Sequence, residues 1–481
     1  MREIHNRRVS AEEMAQQALL AQEVAALVRR EGHPASYRIV TYGCQMNAHD
    51  SEKLAGMLTD MGLVEAPTRE EADFVLYNTC CIRDNAERRA LGNVTWLKEL
   101  KKERPGLLVG VCGCMMQQQG MAERILRQYP FVDLAFGTHN LHRFPELFHR
   151  ALATRGRVVE VLGDEAAGIA EDVPVRRTSP THAYITIMYG CDNFCAYCIV
   201  PYVRGRERSR DAADILAEAA RLKDEGVQEI MLLGQNVNSY GNDLPSGAPR
   251  FPDLLAALDR LGIARIRFMT SHPKDLSPAL MDVMADGRHI CPALHLPVQA
   301  GSDAILAAMR RGYTRAAYLD KVAALRARMP GIALTTDLIV AFPGETEADF
   351  ADTLLLVEQV RYDAAYTFIY SPRAGTVAAS LPGAIDAATA TQRIERLIAA
   401  QKVITAQRNA AWVGTVQPVL VEEASRRSAA QMAGKTPHGL TVNFPGTSAL
   451  IGRIVPVRIT SAAETTLRGS MAEQEQEDEH P

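Results

Sequence analysis

GCDNFCAYCIVPYVRGRERSR, residues Gly190–Arg210, carries Cys191, Cys195 and Cys198 in the spacing C-x3-C-x2-C. The run follows an apolar stretch, Ala183–Tyr189, that reads as a buried strand, so the three thiols share one short loop at a strand end. A [4Fe–4S] cluster normally takes four cysteine ligands, and three local ones leave one iron open to bind a small molecule. A structural zinc is the other reading, but it wants a closed fourth ligand. No cysteine or histidine follows closely enough to supply one, so the spacing favours the open cluster.

Working outward, strand-like runs recur at Tyr184–Met188, Glu229–Gly234, Arg265–Ser271, Ala293–Val298, Ala333–Phe342 and Ala365–Ser371. Helical segments separate them, which predicts a partial (β/α)6 barrel over 178–408, open on one side. In β/α barrels the loops that follow the strands build the site. Cys191 follows the first strand, Gln235 and Asn236 the second, Ser271 and His272 the third, and Gln299 to Ser302 the fourth. Polar side chains therefore recur at one end of the predicted barrel.

Upstream, residues 37–170 also alternate β and α patterns. Arg38–Tyr42, Asp73–Thr79 and Leu107–Val111 read as buried strands of a parallel α/β sheet. A cysteine follows each one: Cys44, Cys80 and Cys114. Loops at the carboxyl ends of an open parallel sheet converge on one crevice, so three thiols distant in sequence can meet there as a second three-ligand site. Incidental buried thiols are the alternative, since free cysteine behaves as a small hydrophobe. Three similar placements weigh against coincidence. Cys81 and Cys112 neighbour the candidate ligands, Cys112 at a strand end directed to the core, and Cys291 reads as a packing residue.

The remaining segments are simpler. Val9–Arg30 has helical periodicity, with Met14, Ala18, Ala21, Ala25 and Val28 on one face, and forms a leader (1–36). Glu171–Thr181, charged and with two prolines, reads as a linker. A helix over Thr391–Arg408 leads to residues 409–470, where Val416–Glu422, Gly439–Pro445 and Ile454–Thr460 predict a small antiparallel β-barrel. That region holds Arg426, Arg427, Lys435, Arg453, Arg458 and Arg468 against three acids, a balance that suits RNA. Residues 471–481 read as a disordered acidic tail.

The chain has 481 residues, enough for about three domains, and 47% of them are apolar. No run of uncharged apolar residues is long enough to span a membrane, and no secretory signal is expected. Nine cysteines, several on loops, suit metal chemistry in a reducing cytoplasm better than a disulfide framework. The net charge of −4 becomes +1 when five tail acids, Glu473, Glu475, Glu477, Asp478 and Glu479, are set aside, so nucleic acid is not excluded as a partner.

The triplet, with Tyr197 before its last cysteine, resembles the signature of the radical S-adenosylmethionine (radical SAM) superfamily. The whole arrangement is similar to that of the methylthiotransferases, which join an N-terminal α/β domain, a radical SAM partial barrel and a C-terminal TRAM domain. The motifs that carry the likeness are TYGCQMN (Thr41–Asn47), NTCCIRDNA (Asn78–Ala86), GVCGCMMQ (Gly110–Gln117), HLPVQAGSD (His295–Asp303), TDLIVAFPGETE (Thr336–Glu347) and YSPRAGT (Tyr370–Thr376). Within that family, CIVPYVRGRERSR and LLGQNVNSYG look like the tRNA branch. The leader is longer than the family pattern, and Cys81 and Cys112 are additional thiols; as ligands they would make the N-terminal cluster four-coordinate.

The resemblance implies two [4Fe–4S] clusters, one on Cys44, Cys80 and Cys114 and one on Cys191, Cys195 and Cys198. It implies S-adenosylmethionine as radical source and methyl donor, with Tyr197, Gln235, Ser271 and Gln299 as candidate cofactor-binding residues. The implied substrate is N6-dimethylallyladenosine at position 37 of tRNA, whose C2–H is replaced by C2–S–CH3. That bond is neither acidic nor nucleophilic, so a radical is the agent that can break it. Arg204, Arg206 and Arg208, with Arg210 around Glu207, are candidate phosphate contacts, as is Lys435; an internal ion-pair network with Glu207 is the alternative. Partners implied are tRNA, a low-potential electron donor of flavodoxin or ferredoxin type and a sulfur source, with the protein a cytoplasmic monomer. The competing expectations are action on ribosomal protein S12 or on threonylcarbamoyladenosine in tRNA, or a non-catalytic iron–sulfur RNA-binding protein.

Overall fold

A computed structural model describes residues 8–29, 35–81, 84–154, 156–425, 428 and 430–472. The tail from 473 onward, Arg426 and Arg427 lie outside the described residues. The first sheet contains β1 (Ser36–Thr41), β2 (Val64–Glu65), β3 (Phe74–Thr79), β4 (Leu108–Gly113), β5 (Leu134–Phe136) and β6 (Val158–Glu160). All its pairings are parallel, in the order β2-β1-β3-β4-β5-β6. Every residue of β3 is buried, as expected of a central strand covered on both faces. The three longer strands match the sequence reading. β2, β5 and β6 have two or three residues each, too short for a periodic signal.

The leader forms the helix Ala11–Arg29, which buries Ala21, Val24 and Val28 in the core that includes Tyr37, Phe74 and Phe148, with Ala25 also buried. Ala18, expected on that face, is exposed; Gln17 is buried there instead and binds Glu146. The segment expected to be a linker is tied down: Arg176 N donates to Glu52 O at 2.9 Å, and Thr178 N donates to the Glu52 carboxylate at 2.9 Å.

The central strands are β7 (His182–Thr186), β8 (Met188–Tyr189), β9 (Arg208–Ser209), β10 (Glu229–Leu233), β11 (Arg265–Phe268), β12 (Ala293–His295), β13 (Ala333–Val340) and β14 (Ala364–Ile369). The barrel strands form two parallel three-stranded sheets, β7-β10-β11 and β12-β13-β14, linked by the parallel bridge Ile266–Ile290. This is the open six-stranded barrel expected. The pair β8–β9 is a short antiparallel ribbon that closes the cysteine loop at its base. Four residues other than glycine take positive φ just after barrel strands: Phe194 (44°), Thr270 (65°), Gln299 (76°) and Ala341 (59°). Such conformations cost free energy and gather where a fold builds a site.

The helix Ala387–Ala410 leads into β15 (Val416–Ala424), β16 (Gln431–Lys435), β17 (Thr441–Pro445), β18 (Ile454–Ala462) and β19 (Leu467–Met471). They close a barrel in the order β15-β16-β17-β19-β18, antiparallel except for the β17–β19 pair. Its core is Val419, Met432, Phe444, Val457 and Leu467. Arg265 and Arg267 of β11 fix it to the central barrel by donating to the carbonyls of Lys435, Pro418, Pro437 and Thr436 at 2.6–2.8 Å.

Candidate functional site

The N-terminal crevice is assembled from three strand ends. Cys44 is the N-cap of the helix Gln45–Asp60, which sets its thiol at the start of that helix beside the end of β1. Cys80 follows β3 and lies against Gly43: a Cβ on Gly43 (φ +129°) would come within 2.6 Å of the Cys80 Cβ. Cys114 opens a short 3-10 turn after Gly113, whose φ of +96° and close approach to Thr79 O leave no room for a side chain. Asn47, fully buried, holds the three ends together. Its Nδ2 donates to the carbonyls of Tyr42 and Thr79, both at 3.1 Å. Its Oδ1 accepts from Cys44 Sγ at 3.8 Å and from Cys114 Sγ at 3.6 Å.

The structure thus brings Cys44, Cys80 and Cys114 to one place. Burial pushes the Cys114 thiol up to about 12, Arg204 pulls against this, and the nearby Cys80 and Cys44 add to it. Cys112 points to the opposite face of the sheet, into the core with Tyr37 and Phe136. Cys81 is fully buried among Tyr77, Leu91 and Met115. Cys291 is buried at 4% exposure, away from both cysteine sites.

The loop after Cys198 does not project into solvent. Ile199 and Val203 pack into the N-terminal core beside Cys114 and Met116, and the short helix Val200–Val203 carries Arg204 into the N-terminal crevice. The expectation of phosphate contacts is therefore corrected for most of the arginine run. Arg204 is 5% exposed and pairs with Asp50 at 2.8 Å, and Arg208 is 7% exposed and pairs with Asp164 at 2.7 Å. Arg210 pairs with Glu171 and, at 2.8 Å, with Glu218. An internal network is what forms, but through those acids rather than through Glu207. Glu207 accepts from Ser239 Oγ at 2.8 Å, and burial pushes its carboxyl up to about 7. Arg206 alone of the four keeps half its side chain exposed, pairing with Asp192 at 2.8 Å and lying over the Phe194 ring. Lys435 is half-buried: its Nζ donates to Thr441 Oγ1 at 3.1 Å, and its carbonyl sits in the seam against Arg265.

At the barrel mouth Cys191, Cys195 and Cys198 lie together, and burial pushes the Cys191 and Cys198 thiols up to about 12. Arg311, 4% exposed, donates from Nη1 to Cys195 Sγ and to the Tyr197 hydroxyl, each at 3.2 Å, and from Nη2 to Pro297 O at 2.8 Å. Sequence reasoning misses Arg311, Asn47 and Asp50 as site residues; a buried arginine leaves no signal there beyond its charge. Around this loop, Gln235 Oε1, Ser271 Oγ, His272 Nε2 and both ends of the Asn238 amide are buried without a protein partner. Buried polar atoms are rarely left so, and these are suited to a polar ligand. Gln299 is held by backbone bonds from its N to Asp337 O and from Ile339 N to its O.

Three thiols at each place match the thiolate ligands that iron–sulfur clusters take. A four-iron cluster takes each thiolate on a different iron and so spreads its ligands. The orphaned polar atoms at the mouth fit a zwitterionic cofactor. A separate cavity of about 620 Å3, lined by His49, Glu52, Arg176 and Glu218, opens beside the start of β7 and holds no cysteine.

Comparison with known proteins matches three parts of the chain: residues 36–137 to the Uncharacterized protein family UPF0004, 185–357 to the Radical SAM superfamily and 411–472 to the TRAM domain. The tRNA-2-methylthio-N(6)-dimethylallyladenosine synthase of Alkaliphilus oremlandii is 49% identical over 97% of this chain and 98% of its own. The enzyme of the same name from Thermoanaerobacter sp. is 48% identical over 97% and 98%. Among solved structures, the radical S-adenosylmethionine methyltransferase TsrM from Kitasatospora setae, with cobalamin and a [4Fe-4S] cluster bound, superposes at a TM-score of 0.50 with 15% identity, covering 72% of this chain and 77% of that one, a likeness of fold alone. The sequence identity over almost the whole chain places this protein in the radical SAM methylthiotransferases, in the family of the tRNA-2-methylthio-N(6)-dimethylallyladenosine synthases.

Proposed function

We propose that the protein converts N6-dimethylallyladenosine at position 37 of tRNA to its 2-methylthio derivative. The observation that carries this reading is the pair of three-cysteine crevices joined by one short segment, in a chain nearly half identical to enzymes of that name. Cys191, Cys195 and Cys198 would hold the cluster that, with S-adenosylmethionine, supplies radical chemistry. Cys44, Cys80 and Cys114 would hold a second cluster that receives or carries sulfur. The residues of the chain perform recognisable tasks around them. Arg311 fixes the Cys195 sulfur and the Tyr197 ring edge. Gln235, Asn238, Ser271 and His272 offer unpaired polar atoms to the cofactor, and Gln299 marks the strained strand end beside them. Cys191 and Cys195 are buried and Cys198 half-buried, which limits water at the barrel mouth and suits a reaction with a radical, whereas Cys44 leaves the N-terminal crevice open to solvent.

The substrate base, presented in a hairpin loop, can be splayed into the barrel mouth at modest unstacking cost. From Cys198 to Arg204, which touches Cys114, six residues can span at most about 22 Å, and the helical turn within them shortens this. This nearness supports a reading in which both cysteine sets serve one bound nucleoside. A flavodoxin- or ferredoxin-type protein would deliver electrons, and the reading is of a monomer in the cytoplasm. Among the described residues no helix is long and apolar enough to cross a membrane.

The test is mass spectrometry of tRNA nucleosides from a strain lacking the gene and from the same strain complemented. Loss of the 2-methylthio nucleoside with accumulation of N6-dimethylallyladenosine, reversed on complementation, is expected. Unchanged tRNA with loss of the modification on ribosomal protein S12, or loss of 2-methylthio-threonylcarbamoyladenosine, would replace this reading. No change in any of them would leave a non-catalytic iron–sulfur RNA-binding protein.

A further inference from the structure

We propose that Arg204 is the positioning residue by which the radical SAM half of the chain holds and tunes the N-terminal cluster; the inference rests on the reading of Cys44, Cys80 and Cys114 as ligands of that cluster. Arg204 belongs by sequence to the other site, six residues beyond Cys198, yet its side chain is spent in this one. Its Nε donates to Cys114 Sγ at 3.0 Å. Its Nη2 donates to Asn47 Oδ1 at 3.0 Å and to Asp50 Oδ2 at 2.8 Å. Asn47 Oδ1 lies 3.8 Å from the Cys44 sulfur and 3.6 Å from the Cys114 sulfur, but an amide oxygen offers no proton to a thiolate ligand, so the direct bond to a ligand is the one from the guanidinium to Cys114.

The segment that carries Arg204 is fixed. Its N–H donates to Val200 O at 2.8 Å, and its carbonyl accepts from Arg208 Nη2 at 3.3 Å. Ile199 and Val203 anchor the turn in the N-terminal core. A guanidinium held this rigidly is a fixed charge. The potential of an iron–sulfur cluster follows its net charge, the hydrogen bonds to its sulfurs and its exposure to solvent. Adding an electron makes a thiolate-ligated cluster more negative, so a buried cation on a ligand sulfur favours the reduced state and raises the potential. Asp50, bonded by Nη2 of the same guanidinium, opposes this. Arg204 and Asp50 thus act with opposite signs on one cluster, and the arginine is delivered by the loop that carries the other cluster's ligands.

The opposite signs supply the test. Full-length protein carrying Cys191→Ala, Cys195→Ala and Cys198→Ala, reconstituted anaerobically with iron and sulfide, leaves only the N-terminal cluster to observe. Its midpoint potential is read by redox titration monitored by electron paramagnetic resonance. Arg204→Gln is expected to shift the potential down, Asp50→Asn to shift it up, and Arg204→Lys to leave it close to that of the unmodified side chain. Loosening of the crevice would admit water in both variants and move both potentials in one direction. Shifts of the same sign, or no shift in Arg204→Gln, overturn the proposal. Should the triple-alanine protein bind no cluster at all, the ligand reading itself fails and the inference falls with it. A cluster that forms but ignores both substitutions rejects only the role of Arg204.

Discussion

The guanidinium of Arg311 lies 3.2 Å from the sulfur of Cys195, and the same nitrogen reaches the hydroxyl of Tyr197. A single buried arginine thus serves the radical SAM triplet much as Arg204 serves the N-terminal one. Loss of an outer partner of a metal ligand typically costs about 10- to 100-fold in metal affinity or activity. Arg311→Met is expected to lower 5′-deoxyadenosine formation by roughly that factor, with Arg311→Lys between it and the native protein. Liquid chromatography of the reaction products, alongside iron content, provides the measure. A native rate in Arg311→Met would show that the hydrogen bond to Cys195 is incidental.

The two cysteine sets should separate by readout. Alanine at Cys191, Cys195 or Cys198 is expected to remove about one cluster's iron and all cleavage of S-adenosylmethionine, because three thiolates are the minimum holding that cluster. Alanine at Cys44, Cys80 or Cys114 should abolish thiolation of tRNA but leave cleavage detectable. Cys112 and Cys81 are packed into opposite faces of the N-terminal sheet, so alanine there, or at Cys291, should lower stability by about 1 kcal/mol and leave both clusters filled. Iron loss in Cys81→Ala or Cys112→Ala would reassign the ligands.

Much of this site is legible in the sequence, and the limits have physical causes. The barrel strands and the cysteine loops stand out because buried parallel strands are continuous apolar runs and because cluster ligands must sit on loops beside them. The arginine run misleads because charge on a loop is normally solvated, and only tertiary pairing with Asp50, Asp164 and Glu171, from 39 to 154 residues away, turns it inward. For Lys435, strand alternation gives the face of the side chain, but not that its carbonyl packs against Arg265. Asn47 is visible only as a letter in a motif. Its role depends on three loops meeting, which no single segment encodes.

The seam between the central and C-terminal barrels should respond to acid. His438 packs against Trp412 with ring centroids 4.5 Å apart and the rings tilted by 50°. Burial lowers its pKa from 6.5 to about 4; Asp363 opposes this, and Arg267, Arg408 and Arg265 reinforce it. The folded state therefore binds the proton more weakly than the unfolded one. Its contribution to stability is complete above pH 6.5 and is lost as the pH falls towards 4. His438→Phe keeps the ring packing and removes the titration. Thermal unfolding from pH 7 to pH 4.5 should show a smaller fall in Tm for this variant than for the native chain; parallel curves would mean that the seam does not sense the proton.

Binding of tRNA should depend on the cations the fold leaves outside. On the C-terminal barrel Arg453, Arg458 and Arg468 are exposed, whereas Lys435 is half-buried and donates to Thr441. At the cluster loop Arg206 is half exposed, with the exposed Tyr202 edge-on to Phe194 beside it. Removing one cation from a phosphate should flatten the dependence of log affinity on log salt by roughly 0.7–0.9, because fewer counterions are released on binding. Arg206→Ala is expected to weaken binding and lower the slope by about one such step, and the triple alanine variant of Arg453, Arg458 and Arg468 by about two or three. Lys435→Ala should lower affinity and slope by at most about one such step, since its half-buried ammonium has one of its three donors on Thr441. Titration of tRNA at several salt concentrations decides among these. A native slope in the triple variant would remove the small barrel as an RNA clamp and leave Arg206, with the aromatic pair beside it, as the RNA-binding group nearest the chemistry.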